Sequence, residues 1–335
     1  MATIYEVATE AGVSPKTAAR ILAGGVKRSK NRESVLQAAS KLGYVRNQQA
    51  ATLRSGRSNV IGVVVPGITN PAYTRFVQVL HEAFLLEGYH IFLTSNFGRT
   101  DEQVHALNTL QTYLVDAVII NSAENEMDPA SEKILETFIS KTKPVIIAGN
   151  IQTSLPVDRI IIQNQDAVTK AVSYLAKTGK KRIAFLGGPK EHYAIRERYD
   201  GYRDGISQSG LTEDPALVSF GTLSMEDARN RVGDLLRDRN NLPDAIVAGN
   251  DLLAYGVIRR CAELNIRVPE DVAVVGFDDL DFSRFCTPSL STLRQPKERI
   301  ASECVQQILK RIKSNSIKDP TQLFYEPELI IRESA

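Results

Sequence analysis

Few side chains in this 335-residue chain stand in patterns that do covalent chemistry. The four histidines, His81, His90, His105 and His192, show no paired metal-ligand spacing. Ser140 and Lys143 fit a serine–lysine spacing, but they close a helical pattern ahead of a strand-like run and read as surface. Asp278, Asp279 and Asp281 in "DDLD" can suggest a cation site. They follow a strand, where a cleft carboxylate is the better reading. There is no G-x-S-x-G elbow and no Walker phosphate loop. Cys261, Cys286 and Cys304 are far apart, suit a reducing cytosol and read as buried small hydrophobes. We therefore expect no catalytic site, no metal and no cofactor. The chemistry that remains is recognition, and it concentrates in "AGVSPKTAARILAG", residues 11–24.

That stretch needs two helices to position it. Ile4, Val7 and Ala8 share one face of a helix over about Ile4–Glu10, with Thr3 as its N-cap. Gly12 can take the left-handed turn, and Val13 plugs the core. Ser14 caps a second helix, with Pro15 at a first position where its missing N–H costs nothing. A third helix is predicted from about Asn31 to Leu42, stopped by Gly43. Two helices joined by a short glycine turn form a helix-turn-helix, whose second helix lies in the DNA major groove.

After a polar linker, "RNQQAATLRSGRS" at 46–58, the texture changes. Apolar runs at 60–65, 90–95, 116–120, 144–149, 159–163, 182–188, 244–250 and 271–279 alternate with eight helical patterns. Such runs mark parallel strands buried on both faces. The fold class is therefore α/β, a doubly wound body behind a small all-α head, with ligand sites at strand carboxyl ends. A sheet this long is expected to divide into two lobes with a cleft. We place the head at 1–45, the linker at 46–58 and the body at 59–335. One lobe takes 59–160 plus 294–320, the other 161–293 plus 321–335.

The net charge of +2 conceals an asymmetry. Residues 1–58 hold ten Lys and Arg against three Glu, a net of +7, so the remainder carries −5. A basic head on a mildly acidic body is the pattern of a nucleic-acid-binding module joined to something else. A solvated charged face is the bland alternative. No apolar run is long enough for a membrane helix. The N-terminus lacks a secretory pattern, so a cytoplasmic protein is expected.

"TIYEVATEAGVSPKTAARIL" resembles the N-terminal signature of the LacI/GalR (lactose-repressor/galactose-repressor) family of bacterial transcription regulators. The resemblance extends through "NRESVLQAASKLGYVRNQQAATLRSGRSNVIGVVVP" and, more loosely, to the C-terminus. It implies a two-lobed body of the periplasmic-binding-protein type (type I), an effector in its cleft, and a homodimer or tetramer on a pseudo-palindromic operator. It places Pro15, Lys16 and Arg20 at base-reading positions, and Thr3, Ser14 and Thr17 among the DNA-binding residues. Lys16 and Arg20 can donate to guanine O6 and N7, whereas Pro15 offers only an apolar surface. It aligns Asn47–Leu53 with a hinge helix in which Ala50 permits close pairing and Leu53 wedges the minor groove. Packing of Leu53 on the body is the other reading.

In the cleft the resemblance implies Asn70, Tyr73, Arg198, Leu223, Asn250, Asp278 and Gln295. Their types suit a small polar, carbohydrate-like effector, with Asp278 accepting paired hydroxyls and Tyr73 as a stacking face. The sequence departs from the family at Ala19 and Ala23, where serine and asparagine are common. The loop after Gly25 is about one residue short of the family's length. Further departures are Gly149 and Asn150 in place of an aspartate–arginine pair, Gln163 for aspartate, and Leu223 at an often aromatic position. The expected function is a transcriptional regulator, most simply a repressor, controlled by ligand. A solute-binding protein of a transport system and a Rossmann-type enzyme are the rivals; neither uses a basic head.

Overall fold

The computed structural model describes residues 2–22, 30–45, 56–121 and 124–335. The chain divides into two compact units, Met1–Ser58 and Asn59–Ala335.

Local signals build the first unit. Helix α1 (Ile4–Glu10) opens on a capping box: Glu6 N–H donates to Thr3 Oγ1 at 3.3 Å, and Thr3 N–H donates to the Glu6 carboxylate at 2.7 Å. Gly12 turns the chain at φ +66°, a conformation that costs other residues steric strain. Helix α2 (Pro15–Leu22) begins at once, with Thr17 N–H donating to Ser14 Oγ at 3.2 Å. Helix α3 (Arg32–Lys41) closes a core of Val7, Ala8, Ala18, Ile21, Val35, Ala38 and Ala39. Burying a Val or Ile there contributes about 1.5–3 kcal/mol each.

The second unit holds two six-stranded sheets. The first contains β1 (Val60–Val65), β2 (His90–Ser95), β3 (Ala117–Ile120), β4 (Val145–Ala148), β5 (Asp158–Ile162) and β11 (Gln322–Tyr325). Its order is β11-β5-β4-β3-β1-β2, parallel throughout. The second contains β6 (Ile183–Leu186), β7 (Val218–Ser219), β8 (Ala245–Ala248), β9 (Ala273–Phe277), β10 (Ser291–Arg294) and β12 (Glu328–Ile330). Its order is β12-β10-β9-β8-β6-β7, with only the β10–β12 pair antiparallel. Helices α4 (Pro71–Leu86), α5 (Thr100–Thr112) and α6 (Pro129–Ser140) belong to the first lobe. Helices α7 (Asn164–Lys177), α8 (Tyr193–Gln208), α9 (Met225–Leu235) and α10 (Asp251–Glu263) belong to the second. Helix α11 (Lys297–Ser314) packs back on α4.

The lobe boundary at 320/321 requires correction. Strand β11 pairs with β5, Gln322 opposite Arg159 through Tyr325 opposite Ile162, so the first lobe runs to residue 325. The boundary at 160 likewise moves to the end of β5 at Ile162. A buried ion pair explains the return. Arg311 donates to both Asp158 carboxylate oxygens at 2.9 and 2.7 Å, and Thr321 N–H donates to Asp158 at 2.8 Å. The end of α11 is thereby tied to the start of β5, and the chain enters β11 from there. Strands β7, β10, β11 and β12 are absent from the sequence-based reading because they are short and partly polar. In β10, buried Ser291 and Thr292 find partners only across the fold, Ser334 N-terminally adjacent to the chain end and Asp251 at the start of α10.

Candidate nucleic-acid interface and ligand cleft

Helix α2 presents Pro15 and Lys16 in its first turn and Arg20 in its last turn to solvent. Lys16 and Arg20 are four residues apart, hence on one helix face, and neither has an ion-pair partner among the described residues. Thr3 and Ser14 are exposed but engaged. Thr3 Oγ1 serves the capping box, and the Ser14 and Thr17 hydroxyls share a hydrogen bond at 2.9 Å. Ala18 and Ile21 turn the opposite face inward. The cap and the turn thus set the start of a helix that carries both cationic side chains outward on one face. Asn47, Ala50 and Leu53 lie outside the described residues.

In the body, a cleft of about 450 Å³ opens between the two sheets at their carboxyl ends. Pro66, Gly67, Thr69, Asn70 and Tyr73 follow β1; Phe97 and Gly98 follow β2; Glu124 follows β3. From the other lobe come Glu191 and His192 after β6, Leu223 after β7 and Leu252 after β8. Of the seven sequence-expected cleft residues, Asn70, Tyr73 and Leu223 line this space. Asn70 does so as the N-cap of α4, its Oδ1 accepting from Ala72 N–H at 2.9 Å. Leu223 fits because Gly188 has no side chain: a Cβ there would meet Leu223 at 2.4 Å.

The other four lie deeper or elsewhere. Arg198 is 7% exposed, with Nε donating to Asn164 at 3.0 Å and Nη1 to the Gly249 carbonyl at 2.6 Å. Its guanidinium lies 3.5 Å from the Phe277 ring centre. Two of its donors are therefore committed within its own lobe, and neither Glu197 nor Asp200 forms an ion pair with it. Asn250 caps α10, accepting from Leu253 N–H at 2.9 Å. Asp278, at φ +123°, accepts from Gln295 Nε2, while its carbonyl accepts from Lys297 Nζ. Gln295 lines a neighbouring space of about 490 Å³ beside Tyr255, Leu280 and Phe282. Asp279 is held by Arg294 at 2.6 Å and Arg332 at 2.7 Å, so "DDLD" does not converge as a cation site.

Burial sets the electrostatics. Desolvation, with Tyr193 and Asp278 nearby, keeps the Tyr73 hydroxyl well above the usual phenol range. His192 is held down to about 4 by burial and by Arg198, so its imidazole is neutral. Its Nδ1 accepts from Ala194 N–H at 3.2 Å, which leaves the proton on Nε2 as a donor. Asp251 beneath the cleft is pushed up to about 6 by burial and by Asp278. It accepts from Leu280 N–H, Ser283 Oγ and Thr292 Oγ1 at 2.8, 2.6 and 2.5 Å. Thr69, Phe97, Glu124, Glu191, His192 and Leu252 were missed from sequence. Each follows a strand's carboxyl end, and that rule alone points to them.

Among the described residues, no group of three His, Cys, Asp or Glu side chains can hold a metal, and no helix is long and apolar enough to cross a membrane. Lys143, of the serine–lysine spacing, donates to the Leu114 and Val115 carbonyls and closes the turn before β3. Cys261 and Cys304 are buried, but Cys286 is only partly so, because it sits in the turn leading to β10.

Residues 3–47 match the family described as bacterial regulatory proteins, lacI family, and residues 172–335 match the periplasmic binding protein-like domain. The HTH-type transcriptional repressor PurR of Haemophilus influenzae (strain PittEE) is 30% identical over 340 residues, covering 100% of this chain and 98% of that protein. A solved complex of the transcriptional regulator CelR with cellobiose is 28% identical, covers 100% of both chains and superposes with a TM-score of 0.74. The lac repressor dimer, solved on its operator with an anti-inducer, shares the fold at a TM-score of 0.84. It is 24% identical and covers 99% of this chain and 98% of its own.

Proposed function

The chain belongs to the lacI family of bacterial regulatory proteins, and from that premise we propose that it is a ligand-controlled transcriptional repressor. One observation carries the DNA-reading half. Lys16 and Arg20 stand exposed on one face of a capped second helix, without an ion-pair partner among the described residues, the arrangement a major-groove reader needs. Two such heads in a homodimer read a nearly palindromic operator, and the segment Asn47–Leu53 enters the minor groove between them, with Ala50 at the pairing face and Leu53 as wedge.

The effector occupies the cleft of about 450 Å³. Tyr73, Phe97 and Leu223 supply apolar faces, Asn70 and the His192 Nε2–H donate, and Glu124 and Glu191 accept. The lining includes two carboxylates and no lysine or arginine, and the deeper Arg198 faces Asp278. Near a protein surface a like-charge contact at about 4 Å costs on the order of a few kcal/mol before screening, which disfavours a phosphate or carboxylate. The ligand is therefore an uncharged, hydroxyl-bearing molecule of sugar or glycoside size.

Selection of bound sequences from a random duplex library at about 0.15 M salt tests the first half; a palindromic motif bound on the order of 10³-fold above bulk DNA is expected. Absence of any enriched motif overturns it. Thermal-shift screening of neutral sugars, glycosides and nucleosides against their phosphates tests the second. Stabilisation by phosphorylated members alone contradicts the charge argument. Leu53→Ala should weaken operator binding far more than nonspecific binding; equal loss means that Leu53 only packs.

A further inference from the structure

Tyr193 begins α8, an element of the second lobe, yet its ring lies in the core of the first. It is 6% exposed and packs with Ala194 among Val64, Ile120, Met127 and Ile147. The next residue, Ile195, turns back to its own lobe against Gly188 and Gly249. A single helical turn is thus buried in both lobes.

The seat for the ring is Gly149, just beyond β4. A Cβ there would come within 2.6 Å of the Tyr193 hydroxyl, closer than real Cβ atoms approach, and within a tight 3.1 Å of Cζ. The φ of +149° also excludes an unstrained side chain. Burial and Glu197 push the Tyr193 hydroxyl up to about 12, so it stays neutral. Two hydrogen bonds cross the lobes beside it. Asn150 Nδ2 donates to Glu197, and Asn125 Nδ2 donates to the Glu191 carbonyl at 2.9 Å.

The cleft lies immediately before this contact. His192 lines it and stacks on Tyr193, ring centres 5.5 Å apart. We propose that Tyr193 seated on Gly149 is the positioning residue that fixes the angle between the lobes, and that an occupant of the cleft acts on that angle through His192. The second clause rests on the ligand reading above; the first does not.

The test measures the lobes without ligand. Spin labels are placed on exposed helical positions, Glu136→Cys in α6 and Asn230→Cys in α9, with Cys286→Ser and the buried Cys261 and Cys304 left in place. The starting protein should give one narrow distance distribution. Gly149→Ala unseats the ring and should shift or broaden that distribution by about 2–4 Å, the scale of a small hinge movement. Tyr193→Phe keeps the ring and removes the hydroxyl seated over Gly149, and should broaden it in the same direction by less. Circular dichroism checks folding; if Gly149→Ala does not fold, Tyr193→Phe decides. Distributions that superpose on the starting protein, with or without a lower melting temperature, overturn the proposal. Failure of every cleft ligand in thermal shift, with these distances still altered, would remove the ligand reading and leave the positioning role standing.

Discussion

Two titratable side chains near the cleft, half-buried His192 and buried Asp251, pull stability in opposite directions with pH. His192 is neutral when folded, at about 4, against an ordinary imidazole value near 6.5. Between those values the unfolded chain binds the extra proton, so its term weakens stability as pH falls from about 6.5 to 4. Asp251 is raised to about 6. Between about 4 and 6 the folded chain holds the extra proton, so its term weakens stability as pH rises through that window. Each is worth on the order of 2–3 kcal/mol across its range. His192→Asn, which can still cap α8, should flatten the acid-side loss. Asp251→Asn should flatten the opposing slope. Chemical denaturation at pH 4, 5, 6 and 7 reads both, and unchanged slopes dispose of the assignment. On the head, Lys16→Ala and Arg20→Ala should each cost about 1–3 kcal/mol of operator binding and relax preference at one base pair. Pro15→Gln should change the preferred base without unfolding the head. If base selection stays the same, the proline only starts the helix.

Among the elements, α7 and α8 pack closely because their contact is built on small residues. A Cβ at Gly201 would meet the Gln165 carbonyl oxygen at 2.2 Å, and one at Gly205 would meet Val172 at 2.6 Å. Backbone cannot move aside as a side-chain tip can. Gly201→Ala should therefore destabilise by about 2 kcal/mol or more, despite alanine's better helix propensity of about 1 kcal/mol. A midpoint in urea unchanged from the starting protein contradicts this. Arg311 presents a different case. Removing it leaves Asp158 buried and unpaired, so Arg311→Met should cost about 3–5 kcal/mol. The double change Arg311→Met, Asp158→Leu should recover much of that loss. These contacts also explain which elements were legible beforehand. Strands β1 to β6, β8 and β9 announce themselves as apolar runs, and α1 and α2 as local caps and spacings. Strands β10 and β11 depend on partners more than 40 residues away, Asp251 for Thr292 and Asp158 for Thr321, which no window of sequence contains.

At the scale of the whole molecule, the chain crosses between the body's sheets three times: after β5, after β10 and after β11. Three crossings beside one cleft constrain the lobes to rotate about a shared edge. A ligand bound between them then changes the population of lobe arrangements only as far as it binds one arrangement better. Coupling to DNA must be reciprocal. Whatever factor a cleft ligand applies to operator affinity, saturating operator should apply to ligand affinity. Paired titrations check this; factors differing beyond error mean that the two sites are not linked by one equilibrium.

The sequence by itself determined the head's design, the doubly wound class and the position of ligand chemistry at strand ends, because caps, turns and buried strand runs are encoded by neighbouring residues. The resemblance to the lacI family pointed to Asn70, Tyr73 and Leu223, which line the cleft. Only the tertiary structure decided that Arg198 spends two of its donors inside its own lobe, that His192 and the two glutamates complete the lining, and that Tyr193 seats across the lobes on Gly149. Those outcomes depend on which distant backbone comes within a few ångströms of which side chain. That distance is set by packing of whole elements, and no local pattern carries it.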